Sequence, residues 1–170
     1  MKTISAFIAS TLLLTTSLFA ETKVALADMH ICCKTCAKGI QKATTSMNGV
    51  KLEIDQDAGT TTIIADSKEL AQKAIDAIAA VGYHASVKTE GFSMASAAPA
   101  SAKVKTITIA NAHNCCGSCT KDIQEALKTV PGVTGNTAKA KATEFTVEGD
   151  FDAKALVLAL EKAGYHVQAK

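Results

Sequence analysis

The chain contains no arginine and no tryptophan, and aromatic residues are few. Arginine is the side chain best suited to bidentate contacts with bases and phosphates, so its absence argues against nucleic acid as a partner. The 16 acidic residues nearly balance the 18 lysines, which argues against a surface dominated by one sign of charge. With so few rings available, the core must be built mainly from alanine, valine, isoleucine and leucine.

Residues 1–20 predict a secretory signal peptide that does not belong to the fold. Lys2 supplies a positive charge, an apolar stretch runs from Ile4 to Phe19, and Ala20 is a small residue suited to cleavage. The stretch is short and rich in threonine and serine, which disfavours a membrane span, although a retained N-terminal anchor is the alternative. The mature chain is therefore expected to be secreted, with no membrane attachment after cleavage.

The six cysteines lie in two copies of one motif. Residues 30–36 read HICCKTC and residues 113–119 read HNCCGSC, so the second motif repeats the first at a shift of 83 positions. The Gly-Tyr-His at residues 82–84 recurs at residues 164–166, with one residue lost in between. Agreement at such distant positions indicates an internal duplication, in which each half forms the same structural unit.

Two domains follow from this duplication. We predict the first over residues 21–88 and the second over residues 103–170. Residues 89–102 are rich in alanine and serine and show no apolar period, which is typical of a flexible linker. Two tethered units can meet partners with some independence and at a raised local concentration.

Each half predicts the order strand, helix, strand, strand, helix, strand. First strands are expected over residues 23–31 and 104–110, and the latter shows the alternation of a half-buried strand. A hairpin at residues 57–59 precedes a strand over residues 60–64, whereas the counterpart at residues 135–142 is polar and gives a weak signal. Apolar residues at helical spacing predict four helices: Ile40, Ala43, Thr44 and Met47; Ala71, Ala74, Ile75 and Ile78; Ile123, Ala126, Leu127 and Val130; and Ala153, Leu156, Val157 and Leu160.

The second helix of each half is expected to stop at Gly82 or Gly164, since glycine commonly ends a helix. This order of elements produces an open-faced sandwich, with four antiparallel strands and two helices on one face. The predicted fold class is therefore α+β, with two tandem ferredoxin-like βαββαβ sandwiches joined by a flexible linker. Domains this small are marginal on core burial alone, so bound metal would add to their stability.

Each half also carries a CxxC motif between its first strand and first helix, at residues 33–36 and 116–119. With the later Gly-Tyr pair, this pattern resembles the heavy-metal-associated domain of copper chaperones, copper-ATPase N-termini and the periplasmic mercury-binding protein. The resemblance covers both halves. It implies two tandem domains whose CxxC cysteines bind a soft metal ion, with Tyr83 and Tyr165 packed beside the site.

The chain departs from the family's pattern immediately before the CxxC motifs. Ile31 and Asn114 stand where the family has methionine, and an additional cysteine, Cys32 or Cys115, precedes each motif. Each extra cysteine is a further ligand, a thiol that takes little part in the site, or a thiol that forms a disulfide when metal is absent.

The residues themselves also favour thiolate ligands. Cys36 and Cys119 fall in the first turn of a predicted helix, where free backbone N–H groups and the helix dipole favour negative charge. Lys38 and Lys121 add positive potential nearby. Thiolates select soft or borderline ions, so we expect copper(I) or zinc(II), with cadmium and mercury(II) as alternatives.

All four histidines flank the two motifs. Three thiolates and one imidazole would form a tetrahedral zinc-type site, whereas two thiolates alone would suit copper(I) or mercury(II). The candidate metal ligands are Cys32, Cys33, Cys36, Cys115, Cys116 and Cys119, with His30, His84, His113 and His166 as secondary candidates.

These features predict a metal-binding protein of the bacterial periplasm that is not an enzyme. It would sequester or deliver a soft ion by thiolate exchange, with one site per domain, although the two domains can also share one ion. The expected partners are metal ions and a metal-transporting ATPase or another metal-handling protein.

Two other functions are open. A thiol–disulfide oxidoreductase also places CxxC between a strand and a helix, but such enzymes need a cis-proline beside the disulfide. Pro99 lies in the linker and Pro131 follows a helix, so neither of the two prolines is placed for that role. A stress protein that scavenges oxidants through its cysteines is the third possibility, and it leaves the paired histidines unexplained.

Overall fold

The structure is a computed structural model, and it describes residues 21–170. The predicted signal peptide at residues 1–20 lies outside the described residues. Within the described part of the chain, no helix has both the length and the apolar character that a membrane crossing requires.

Each half of the described chain contains four strands and two helices in the predicted order. The first half consists of β1 (Thr22–Ala27), α1 (Lys34–Thr44), β2 (Val50–Asp55), β3 (Thr60–Ala65), α2 (Lys68–Ala80) and β4 (Ser86–Val87). The second half consists of β5 (Lys103–Ala110), α3 (Gly117–Lys128), β6 (Val133–Asn136), β7 (Phe145–Asp152), α4 (Ala153–Lys162) and β8 (Gln168–Ala169).

The strands of each half form one antiparallel sheet, in the orders β2-β3-β1-β4 and β6-β7-β5-β8. The first strand of each half therefore lies inside its sheet, with Val24 opposite Ile63 in one and Ile109 opposite Phe145 in the other. Two antiparallel sheets and four helices confirm the predicted α+β class.

Each half buries an apolar core. In the first half, Ile40 of α1 and Ile75 of α2 are fully buried, and Ile123 of α3 and Leu156 of α4 are their equivalents in the second half. Most of the buried residues in the four helices belong to the apolar stripes that the sequence predicts. Because the helices are fixed along their length by this packing, the loops that precede them are held in place.

The helices differ in how they begin. The Ser67 hydroxyl accepts a hydrogen bond from the Leu70 N–H at 3.2 Å to cap α2, and the Asp152 carboxylate accepts one from the Ala155 N–H at 2.8 Å to cap α4. By contrast, α1 and α3 begin after a cysteine whose side chain makes no capping hydrogen bond. The first-turn N–H groups of α1 and α3 are therefore directed at the cysteine loops.

The first strand is shorter than predicted, since β1 ends at Ala27 and not at residue 31. Asp28 adopts a left-handed backbone conformation with φ of 60°, which turns the chain out of the sheet. The Met29 N–H then bonds to the Gly59 carbonyl at 3.0 Å. Asn111, with φ of 64°, ends β5 in the same way, so the strand predicted over residues 104–110 agrees with the structure.

The weak signal at residues 135–142 does not correspond to a full strand. That region holds the end of β6 and an irregular segment, and Lys141 takes a positive φ of 71°. The strand that fills the sheet is β7, because Phe145, Val147 and Phe151 bury their side chains on one face.

The segment between the halves, residues 88–102, contains no helix or strand. It nevertheless contacts α4, because the Ser96 hydroxyl and the Ala97 N–H donate hydrogen bonds to the Glu161 carboxylate at 2.6 and 2.7 Å.

Candidate metal centre

Two short loops carry the cysteines, one from β1 to α1 and the other from β5 to α3. In each loop the middle cysteine immediately precedes the helix and the last cysteine lies in its first turn. Cys36 and Cys119 are fully buried, whereas the other four cysteines are partly exposed. Each loop therefore presents one buried and two accessible thiols.

Reciprocal backbone hydrogen bonds join the two halves beside these loops. The His84 N–H donates to the Gly164 carbonyl and the His166 N–H donates to the Gly82 carbonyl, both at 2.9 Å. Between them, Tyr83 pairs with Tyr165 in an antiparallel bridge. Because equivalent residues exchange equivalent contacts, the halves are related by an approximate two-fold axis.

Two glycines permit this close approach. Gly82 and Gly164 have positive φ values of 91° and 88°, a conformation that favours glycine. A Cβ atom on Gly82 would lie 2.7 Å from the His113 nitrogen, and one on Gly164 would lie 3.0 Å from the His30 Cβ. Each glycine thus lets the loop before the other half's cysteines pass directly over it.

The six sulfur atoms meet in one cluster. The Sγ atoms of Cys32 and Cys36 lie 3.6 Å apart, as do those of Cys115 and Cys119. Across the interface, Cys32 lies 3.5 Å from Cys119 and Cys36 lies 3.4 Å from Cys115. Contacts between the halves are therefore as short as contacts within a half.

This thiol cluster divides into two groups of four. The first group contains Cys32, Cys33, Cys36 and Cys115, and the second contains Cys32, Cys115, Cys116 and Cys119. A tetrahedral ion with metal–sulfur bonds of about 2.3 Å holds its sulfurs about 3.8 Å apart. The close sulfur pairs of the cluster are 3.4 to 3.9 Å apart. Each group has the spacing of a tetrathiolate site, and Cys32 and Cys115 are positioned to bridge the two.

The structure thus brings together all six cysteines named from the sequence, in a different grouping. The sequence predicts one site per domain, whereas each group of four takes three cysteines from one half and one from the other. A repeat reveals that two loops are alike, but it contains no signal that they face each other.

The electrostatics of the cluster favour a few thiolates and oppose the rest. The nearby backbone N–H of Cys36 lowers the pKa of Cys33 to about 6, against the opposing effect of burial. Burial raises the pKa of Cys32, and it raises the pKa of Cys115 to about 12. The interaction between the Cys36 and Cys119 thiols lowers the pKa of Cys119 and raises the pKa of Cys36. Several thiolates this close therefore require cations to compensate their charge.

His30 and His113 lie beside the thiol cluster, one from each half. A nitrogen of each lies within 4.8 Å of the Cys119 sulfur. The His113 Nδ1–H donates to the Gly82 carbonyl at 2.6 Å, and the His30 Nδ1 lies 3.0 Å from the Asp122 carboxylate. Both Nε2 atoms are buried without a hydrogen-bond partner. Burial lowers the pKa of His113 to about 4, which keeps it in the neutral form that can bind metal.

The two tyrosines hold the cysteine loops through the backbone. The Tyr83 hydroxyl donates to the Cys36 carbonyl at 3.1 Å, and the Tyr165 hydroxyl donates to the Cys119 carbonyl at 3.2 Å. The His113 ring stacks on both phenol rings, with centroid distances of 3.9 and 4.5 Å. Burial raises the pKa of both tyrosines, so they remain neutral and orient the loops.

His84 and His166 lie apart from the cysteines. The sequence predicts them beside the thiols, but the structure groups them with Glu161, and their Nδ1 atoms are 3.4 Å apart. The reciprocal backbone bonds at these residues bring the two rings together. Glu161 was not among the predicted site residues. The signal for it is a carboxylate on the buried face of α4, where the first half has Ala79.

Known proteins are similar to this chain in parts that include the cysteines. The profile of the heavy-metal-associated domain family matches residues 106–166, so the second half carries one such domain. Copper-transporting ATPase 2 of Rhizobium meliloti (strain 1021) is 28% identical over 140 residues, which is 80% of this chain and 15% of the ATPase. The chain therefore spans a small part of that relative's length.

Among solved structures, the N-terminal soluble domains of Bacillus subtilis CopA align with 90% of this chain and 96% of their own, at 21% identity and a TM-score of 0.32. The domain match and the thiol cluster together support metal binding through cysteine.

Proposed function

We propose that this chain stores or carries soft metal ions in a single thiolate cluster shared by two tandem heavy-metal-associated domains. The observation that carries the proposal is the pair of four-thiol groups that have Cys32 and Cys115 in common. Neither half holds four cysteines, so a complete tetrathiolate site requires both halves.

The proposed cargo is copper(I), with zinc(II) as the alternative. Similarity to a copper-transporting ATPase supports copper. Sulfur–sulfur distances of 3.4 to 3.9 Å support tetrahedral ions such as zinc or cadmium, two of which would share the bridging thiolates. Copper(I) accepts fewer thiolates per ion, so the same six sulfurs would hold more copper than zinc. The number of ions bound per chain therefore distinguishes a copper(I) cluster from a zinc(II) cluster.

Ion transfer would proceed by ligand exchange at the accessible side of the cluster. Cys33 and Cys116 are partly exposed and flank the exposed pairs Lys34-Thr35 and Gly117-Ser118. An incoming partner thiolate adds to the bound ion there, and a site cysteine then leaves. No bond of a substrate is broken, so we propose no enzymatic activity. A metal-transporting ATPase or another metal-handling protein is the proposed partner.

The proposed place of action is the bacterial periplasm. The motivating feature is the predicted signal peptide over residues 1–20, which would direct the chain to export. Cleavage in cells, measured as the N-terminal residue of the mature protein, tests this part of the proposal. A chain that keeps Met1 and stays in the cytoplasm would contradict it.

The test of the metal proposal is native mass spectrometry of the reduced chain without oxygen, titrated with copper(I) or zinc(II) against calibrated chelators. A shared cluster predicts cooperative filling, in which partly loaded species are scarce, and a Cys115→Ser variant that binds poorly as a whole. The exposed neighbour Ser118 provides the matched control, since Ser118→Ala should leave binding unchanged.

Failure to hold either ion more tightly than a small-thiol competitor would overturn the metal proposal. A disulfide-reductase turnover that survives chelation would replace it with the oxidoreductase alternative.

A further inference from the structure

A second group of potential ligands lies in the interface between the halves and shares no residue with the thiol cluster. It consists of His84 from the first half and Glu161 and His166 from the second. One nitrogen of each imidazole and one carboxylate oxygen all lie within 4.8 Å of one another. Nitrogen and oxygen ligands suit a borderline divalent ion better than copper(I).

The two imidazoles have the spacing of ligands on one ion. Their Nδ1 atoms are 3.4 Å apart and the ring planes differ by 3°. A tetrahedral ion with metal–nitrogen bonds of about 2.0–2.1 Å holds two nitrogens about 3.3–3.4 Å apart. Both rings are half-buried, and the backbone bonds of His84 and His166 across the interface limit their movement.

The Glu161 carboxylate lies beside the two imidazoles and is fixed by hydrogen bonds. Glu161 is only 5% exposed, and its carboxylate accepts hydrogen bonds from the Ser96 hydroxyl and the Ala97 N–H. Each carboxylate oxygen has a second lone pair that these bonds leave available. A carboxylate buried this deeply needs a cation or hydrogen bonds to compensate its charge. The interdomain segment that supplies Ser96 and Ala97 thus orients the carboxylate.

We propose that His84, His166 and Glu161 bind one divalent ion of the zinc(II) or copper(II) class. Three protein ligands and a water molecule complete a four-coordinate site. The ion joins the first half to the second through His84, and it joins both to the interdomain segment through Glu161. This inference does not depend on the thiolate proposal, because the two sets of residues are separate.

The experiment is ¹¹³Cd NMR of the reduced full chain, titrated with ¹¹³Cd²⁺ beyond the capacity of the thiols. Cadmium bound by sulfur resonates far downfield of cadmium bound by nitrogen and oxygen, so one spectrum reports both kinds of site. We expect thiolate resonances first, and then one resonance of the nitrogen–oxygen type. His84→Ala and His166→Ala should each remove the latter and leave the thiolate resonances in place.

Glu161→Gln should weaken cadmium binding at this site by at least about tenfold, because the loss of a group that only supports a ligand already has an effect of that size. Glu90→Gln, an exposed carboxylate outside the group, is the matched control and should have no effect. Retained thiolate resonances in every variant establish that the fold is intact.

Two outcomes would overturn the inference. One is the absence of a nitrogen–oxygen resonance after the thiols are full, which would mean that the two imidazoles are paired only by an N–H···N hydrogen bond. The other is a nitrogen–oxygen resonance that persists in both histidine variants. If the unaltered chain shows the nitrogen–oxygen resonance but no thiolate resonance, that result contradicts the proposed function and leaves this inference standing.

Discussion

The sulfur of Cys36 lies 3.4 Å from the sulfur of Cys115, although the two residues belong to different halves of the chain. Their counterparts, Cys32 and Cys119, are 3.5 Å apart. Contacts this short place the first cysteine of each loop among the sulfur atoms of the other loop. If the proposed function holds, metal affinity therefore depends on the assembled pair of halves.

Substitution of a bridging cysteine should differ from substitution of a terminal one. Cys32 belongs to both four-thiol groups, whereas Cys33 belongs to one. Cys32→Ser should weaken the binding of both zinc ions, each by at least about tenfold, since loss of even a supporting group has effects of that size. Cys33→Ser should weaken mainly one ion, so that a species with one bound zinc ion accumulates. Stepwise zinc affinities from chelator competition distinguish the two patterns, and equal effects of both variants would argue against bridging.

Removal of metal should lower the free energy of unfolding. An ion that binds the folded chain at a free concentration 100 times its Kd adds about 2.7 kcal/mol. Urea denaturation of the reduced chain with and without zinc measures this difference. The double variant Cys32→Ser/Cys115→Ser should lose most of the zinc-dependent gain. A gain that is unchanged in the double variant would mean that zinc stabilises the chain from another place.

Gly164→Ala should destabilise the contact between the halves. The residue has φ of 88°, and an added Cβ would lie 3.0 Å from the His30 Cβ in the other half. A strained backbone of this kind costs about 1–3 kcal/mol. Gly117→Ala is the control, because nothing lies within 4 Å of its added Cβ and the position is helical. Urea midpoints for the two variants provide the comparison, and similar midpoints would contradict the close approach at Gly164.

Tyr165→Phe should loosen one cysteine loop without removing a ligand. The hydroxyl donates to the Cys119 carbonyl at 3.2 Å, and an average hydrogen bond contributes about 1 kcal/mol. We expect a loss of that size in the free energy of unfolding, with the number of bound ions unchanged. Tyr83→Phe should behave alike, since it makes the equivalent bond to Cys36. A change in ion stoichiometry would indicate that the hydroxyl has a more direct role.

The sequence predicts the parts of each half well and their mutual placement poorly. Ile40, Ile75, Ile123 and Leu156 follow helical spacing, and all four are buried in helices. The sequence predicts Cys36 and Cys119 in the first turn of a helix, and they lie there because local rules govern helix ends. Strand ends are harder to predict, because the left-handed turn at Asp28 has no strong sequence signal.

The site could not be predicted in full from the sequence, because a duplication does not reveal that the two halves contact each other. The sequence predicts His84 and His166 as secondary candidate ligands beside the cysteines, yet the two residues contact each other. Glu161 breaks the repeat, since Ala79 occupies the equivalent position, and a difference between otherwise matched halves is a signal that can be searched for. Such a difference becomes meaningful once the halves are known to touch.

The reciprocal bonds between the Gly82 and Gly164 loops make the interface approximately isologous, in that two similar surfaces contact each other. The same contacts would form between the first half of one chain and the second half of another. Two chains that exchange halves would rebuild the same contacts and the same sulfur cluster twice, at a doubled mass. The number of ions per chain would then be identical in monomer and exchanged dimer, so metal content and oligomeric state would vary independently.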